Sequence, residues 1–293
     1  MEKYINTVRG GVNPIKINGL VAEQISKNLA TRLLDKTYMK NKDNVTINVS
    51  ANGDDSTADG TEQKPFADLQ KAVSYAYQNI KANTHVIINF LTDFTHSEYL
   101  KLVHIQCGRY LIFRSNGHNV TLGRVLCQLG NFSFEGINFK QTDATQEVLT
   151  VSILANVYII ENSKIELADS PKQDIIQVWN GTLTFDDRSS ITLTSKTQAP
   201  NNIFLFLCTY QGKIIFHGAP NITLENNLNA IGFFRCHLNS LILFDRKAVL
   251  SAPVRTQAKA YEVRMGAHLS FNGRGKPLNL GDLTEVDQTS SIS

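Results

Sequence analysis

The sequence predicts an all-β fold, a right-handed parallel β-helix closed at its N-terminal end by a capping helix and preceded by a separate attachment segment. Three observations predict it. Apolar-x-apolar pairs recur at steps of 25 to 31 residues between residues 85 and 272. Within each pair the apolar residues alternate with polar ones, which is the period of a strand and not of a helix. A strand–turn–helix pattern over residues 45–80 stands just ahead of the first repeat.

Composition bounds the class. The chain has 293 residues, 42% hydrophobic and 19% charged. That is enough to bury a large core and too apolar for a disordered protein. Lys plus Arg is 29 and Asp plus Glu is 26, a net charge of +3. So small an excess does not point to a polyanion, and no basic patch is interleaved with aromatics, so nucleic acid is not an expected partner. No apolar run approaches the ~18 residues of a membrane span, so no membrane insertion is expected. The opening MEKYINTVRGGVNPIKING lacks the apolar run of an export signal, and synthesis in a cytoplasm is the expectation. Cys107, Cys127, Cys208 and Cys236 form no CxxC pair and have no His at zinc-finger spacing. Neither a metal, nor a cofactor, nor a disulfide framework is expected.

Residues 1–44 form the attachment segment. Val21, Ile25, Leu29 and Leu33 fall at steps of four and make one apolar stripe on an amphipathic helix, with Ala22 and Ala30 beside it. The stripe docks either on its own domain or on a partner, and residues 1–40 are expected to grip other proteins of an assembly. Residues 45–84 follow as strand, turn and capping helix. Val45, Ile47 and Val49 alternate with polar residues, and Gly53-Asp54-Asp55 and Asp59-Gly60 are turn chemistry. Pro65 is expected to open the helix, whose apolar positions are Leu69, Ala72, Val73, Ala76 and Ile80. The Asp-rich loop lacks calcium-loop spacing, since the twelfth position from Asp54 is Pro65.

Residues 85–281 hold the repeat, and 282–293 are a polar tail. The first pair of each unit reads Phe132/Phe134, Val157/Ile159, Leu183/Phe185, Ile214/Phe216, Leu241/Leu243 and Leu269/Phe271. The second reads Val120/Leu122, Ile137/Phe139, Ile165/Leu167, Ile191/Leu193, Ile222/Leu224 and Ala248/Leu250. Strands this short cannot bury an apolar face alone, but stacked turns share one interior. The alternative architecture is an antiparallel sandwich or barrel. Asn131, Asn156, Asn180, Gln211 and Asn239 recur just before the first pair, where amides can bond along the axis. Cys127, Cys208 and Cys236 recur at one place in the unit and are expected to face inward as small apolar groups.

The segment VTINVSANGDDSTADGTEQKPFADLQKAV resembles the opening module of right-handed β-helix proteins of the pectate-lyase-like fold, as found in bacteriophage tail spikes and tail fibres. It is strand, Gly-Asp-Asp, a Gly-Thr turn, Pro-Phe, and a helix with Leu-Gln-Lys-Ala. With the repeats, the resemblance extends over about residues 45–275. It implies a helix capping the solenoid end. Open ends and exposed sheet edges lead to an expected homotrimer. The docking-type N-terminal helix, the lack of an export signal and the small number of coils lead to expected residence in a virion tail. The resemblance is specific for fold and weak for activity, because lyases, hydrolases, adhesins and inert spikes share the architecture.

The function expected is therefore a virion tail component that supports host attachment, through receptor or host-glycan binding and without catalysis. Two alternatives stand beside it: a capsule or O-antigen depolymerase on the same fold, and a cellular β-helix adhesin. A hydrolase needs two carboxylates in one groove. Glu161, Asp187 and Asp245 stand two places past Ile159, Phe185 and Leu243, so they are the catalytic candidates. Their polar, Arg-flanked surroundings read more simply as solvated turns. Trp179 and Tyr210 sit near turns of neighbouring units and are the candidates for stacking on a sugar.

Overall fold

The computed structural model describes residues 44–79, 84–103, 110–168, 171–186, 190–195, 203–217, 221–224, 232–244, 249–251, 261–271, 284–286 and 290–292. The stripe Val21, Ile25, Leu29 and Leu33 lies outside those residues, as do Cys107, Asp187 and Asp245. The chain is a parallel β-solenoid. From Val86 to Val263 each turn lays one strand in each of three sheets, and strands pair in parallel with their equivalents in the next turn. Sheet I has ten strands, from Val45–Val49 and Val86–Phe90 through Asn131–Glu135, Asn156–Ile160, Thr182–Phe185, Lys213–Phe216 and Leu241–Phe244 to Ser291–Ile292. Sheet II has seven, from Phe94–His96 to Val249–Ser251, with Ile137–Lys140, Asn162–Leu167 and Ser190–Ser195 among them. Sheet III has eight, from Leu100–Val103 through Val125–Gln128, Leu149–Ser152, Ile176–Trp179, Phe204–Thr209, Gly232–Cys236 and Tyr261–Val263 to Thr284–Val286.

Period-two alternation builds the interior. Register puts Phe132 beside Val157 and then Leu183, and Phe134 beside Ile159 and then Phe185, all fully buried. Aromatic rings stack along the axis: Phe113 on Phe134 at 5.1 Å, Phe185 on Phe216 at 4.9 Å, Phe216 on Phe244 at 4.3 Å. One pair differs from the sequence expectation. In Leu241–Phe244 the inward residues are Ile242 and Phe244, not Leu241 and Leu243, because Ile214 pairs with Ile242 and Phe216 with Phe244. LILF is apolar throughout, so alternation cannot choose a face there; the ring of Phe216 does. Likewise Leu250 pairs with Ile222 rather than with Leu224.

The helix runs Leu69–Asn79 and buries Leu69, Ala72, Val73 and Ala76 against the first strands of sheets I and III. It opens four residues later than Pro65. Asp68 caps it, its Oδ1 accepting from the Lys71 N–H at 3.0 Å. Phe66 instead bridges to Val49, and Asp55 Oδ1 accepts from the N–H groups of Ala67 and Asp68. The Asp-rich loop is thus a set of turn and cap acceptors. Asp54 and Asp59 bond Ser56 and Thr57, and Thr61, respectively. No described helix is long and apolar enough to cross a membrane.

Sheet III was not separated from the other two by the sequence pairs, yet the cysteines belong to it. Leu102, Cys127, Val151, Val178, Cys208, Cys236 and Val263 form one inward column. Cys127, Cys208 and Cys236 are free and buried. Burial pushes the Cys127 and Cys208 thiols up, while a hydrogen bond with Cys208 holds Cys236 down. These three thiols are expected to label slowly in native protein and rapidly in denaturant. Fast native labelling would mean that the faces of sheet III are exchanged.

The corners differ in length. Two residues join Leu122 to Val125, but eight join Lys140 to Leu149 and eight join Leu167 to Ile176. The amides expected as one ladder divide in two. Asn156 Nδ2 donates to Asn131 Oδ1 at 3.0 Å on the flank of sheet I. Asn180, Gln211 and Asn239 instead occupy the sheet III to sheet I corner at φ of 52°, 64° and 57°.

Candidate functional site on the outer face of sheet III

The strand alternation that buries Cys127 turns its neighbours outward. Leu126, Thr150, Gln177, Leu207, Arg235 and Glu262 form one outer column in register, and Gln128, Ser152, Trp179 and Thr209 form the next. A groove of about 700 Å³ runs over the first turns of this face, its walls including Tyr99, Arg124, Gln128, Gln177, Trp179 and Tyr210. Gln128 Nε2 donates to Ser152 Oγ at 3.0 Å. Trp179 and Tyr210 come from adjacent turns and stand 43% and 61% exposed at its rim. The two aromatics singled out from the sequence therefore share one groove.

Two ion pairs with buried carboxylates, Glu147 and Asp174, stand in adjacent turns of this face. Glu147 Oε1 accepts from Arg124 Nη2 at 2.6 Å and from Thr150 Oγ1 at 2.7 Å, and the Arg124 guanidinium lies 4.1 Å over the Tyr99 ring. Burial alone would raise the Glu147 carboxyl, but the bonds from Thr150 and Arg124 hold it below the usual range. In the next turn Asp174 Oδ2 accepts from Arg235 Nη1 at 2.7 Å, and its Oδ1 accepts from the Phe204 N–H at 2.7 Å. Arg235 stacks on Phe204 at 4.4 Å and reaches Glu262 at 3.5 Å, where His237 Nε2 also lies at 2.9 Å. Burial pushes the Asp174 carboxyl up against the pull of Arg235, and burial pushes His237 down against Glu262.

Glu147 and Asp174 lie in longer loops that offer the sequence no usable spacing, because each stands next to last in an eight-residue connection with no repeat of its own. A signal did exist: each stands two places before an inward residue, Leu149 or Ile176, that pairs with the other. Glu161 takes a different role. It lies exposed in the sheet I to sheet II corner at φ 68°, where the preceding turn has Gly136 at φ 66°. Asn162 pairs with Ser190, so two residues separate Ile159 from sheet II in one turn and four separate Phe185 from it in the next. Counting two places past each strand therefore does not mark one corner position.

The arrangement brings aromatic faces and hydrogen-bonding side chains onto one surface. Aromatic faces at the rim suit the C–H side of a pyranose, and amides and hydroxyls suit its hydroxyls. The carboxylates of this face are tied to guanidinium groups. No three His, Cys, Asp or Glu among the described residues are placed to hold a metal. No family model, curated protein or solved structure matches the chain.

Proposed function

We propose that this protein is a virion tail component of the spike or fibre type, a homotrimeric scaffold that supports host attachment and binds a surface glycan in the groove of sheet III. Residues 1–40 supply the mount on other tail or baseplate proteins. The observation that carries the glycan part is the convergence of Trp179 and Tyr210 on one polar groove with Gln128, Thr150, Ser152 and Gln177. The tail assignment rests on the resemblance of the opening module.

Purified protein titrated against a panel of bacterial capsular and lipopolysaccharide glycans is expected to bind at least one. Trp179→Ala is expected to weaken that binding at least about tenfold, ~1.4 kcal/mol. Glu161→Gln and Asp187→Asn are expected to leave it unchanged. Binding that survives Trp179→Ala would remove the groove from the account. New reducing ends or unsaturated uronates, lost in Asp174→Asn, Glu161→Gln or Asp187→Asn, would favour the depolymerase.

A further inference from the structure

The described large apolar side chains that stand more than a third exposed are Val103, Leu129, Ile153, Leu154, Trp179, Tyr210 and Met265. All of them lie at the end of a sheet III strand or in the corner that follows it. Half-buried Leu238 fills the turn between those of Tyr210 and Met265, so seven consecutive turns each supply an apolar residue. Backbone bonds tie the corners into a row: Leu129 N–H to Ile153 O at 3.1 Å, Leu154 N–H to Asn180 O at 2.7 Å, Gln211 N–H to Leu238 O at 3.0 Å. At ~4.8 Å per turn the ridge is about 30 Å long.

Two further properties set the ridge apart from a solvated corner. The corner segments 129–130, 153–155, 180–181, 210–212 and 237–240 contain no Asp, Glu, Lys or Arg, in a chain that is 19% charged, and the one charge in 264–267, Arg264, lies 3.7 Å from Glu262. And the apolar residues occupy left-handed backbone, with φ of 51° at Leu129, 47° at Ile153, 61° at Leu154 and 58° at Met265. Asn and Gly suit that conformation, and the same corner uses Asn180, Asn239 and Gly266. Branched and bulky residues are held there at a conformational cost and leave their side chains in water.

We propose that copies of this chain associate ridge against ridge along this corner. The proposal deepens the homotrimer reading and rests on it for the number of copies. A second copy fits for three reasons. A ridge whose one described corner charge, Arg264, is offset by Glu262 brings few like charges together when it meets itself. Two copies share one rung spacing, so their apolar residues stay in step along the whole contact. A strip ~30 Å long reaches the ~800 Å² per partner of a standard interface at a width of about 27 Å. The corner with one four-residue strand on each side, at ~3.3 Å per residue, supplies that width. Ile153, Trp179 and Tyr210 belong to both ridge and groove, so association places the groove at the boundary between copies.

The test uses Leu129 and Leu154, which do not line the groove of sheet III. Light scattering of the full chain at micromolar concentration is expected to give three times 32.6 kDa. Leu129→Asn with Leu154→Asn is expected to reduce it to the single-chain mass with an unchanged far-ultraviolet spectrum, because Asn fits left-handed backbone. A variant that keeps the wild-type mass overturns the ridge and leaves the trimer standing. A wild-type dimer split by the variant keeps the ridge and removes the trimer. A monomeric wild type, or a ridge that captures only an unrelated protein, overturns the proposal.

Discussion

Phe216→Ala is expected to lower the unfolding free energy by about 3–5 kcal/mol. The Phe216 ring is fully buried between Phe185, 4.9 Å away at 5°, and Phe244, 4.3 Å away at 12°. The edges of Phe206 and Phe234 close on it at 5.5 and 5.9 Å. Truncation removes the transfer energy of the ring and also its place in a stack, and stacked pairs add about 0.5–1.5 kcal/mol beyond burial. The cavity left behind resists collapse. Backbone ladders pin Phe185, Phe216 and Phe244 at successive rungs, so no neighbour can slide in without breaking register. Phe185→Ala is expected to act in the same direction by a similar amount. Urea unfolding followed by circular dichroism measures both. A loss below about 1 kcal/mol would show that the ring does not lie in the interior.

Arg235→Met should cost a comparable amount, about 3–5 kcal/mol, because Asp174 stays buried after its guanidinium is gone. The pH dependence identifies the cause. Burial already holds the folded-state pKa of Asp174 above its ordinary value. Such a group contributes stability that is full below the unfolded pKa, ~3.9, and is lost as pH rises through the folded pKa. Losing Arg235 raises that folded pKa further and extends the loss into mild acid. Glu147 and Asp55 behave oppositely: their folded pKa values are lowered, so their contribution is present above the unfolded values and lost as pH falls. The gap between Arg235→Met and wild type should therefore narrow from about pH 7 to about pH 5. A gap independent of pH would assign the loss to packing on Phe204 instead.

The repeat was legible because sheet I strands alternate cleanly. Phe132/Phe134 and Leu183/Phe185 point their faces without help from the rest of the fold. LILF failed for the converse reason, since an all-apolar strand carries no phase of its own. Trp179 and Tyr210 were legible because they are the aromatic residues at short corners in neighbouring units, whereas Tyr99, which also lines the groove, was not. Glu147 and Asp174 were not either, because what brings them into adjacent turns is the pairing of Leu149 with Ile176, which residue order alone does not show. Glu161 shows the reverse error. Its offset from Ile159 was legible, but the corner lengthens from two residues to four in the next turn, and an offset counted along the chain is not a position in space.

The unequal connections between sheets II and III have an evolutionary consequence. Eight residues between Lys140 and Leu149 and only two between Leu122 and Val125 serve turns whose strands keep one unbroken register. Length there is decoupled from the ladder. Insertions and deletions in these segments reshape the outline beside the groove while every rung stays in place, so divergence among descendants should accumulate there and spare the corner ridge. The same decoupling makes the largely exposed stretch from Thr142 to Thr145, between buried Gln141 and buried Glu147, a natural place to graft a foreign peptide for display.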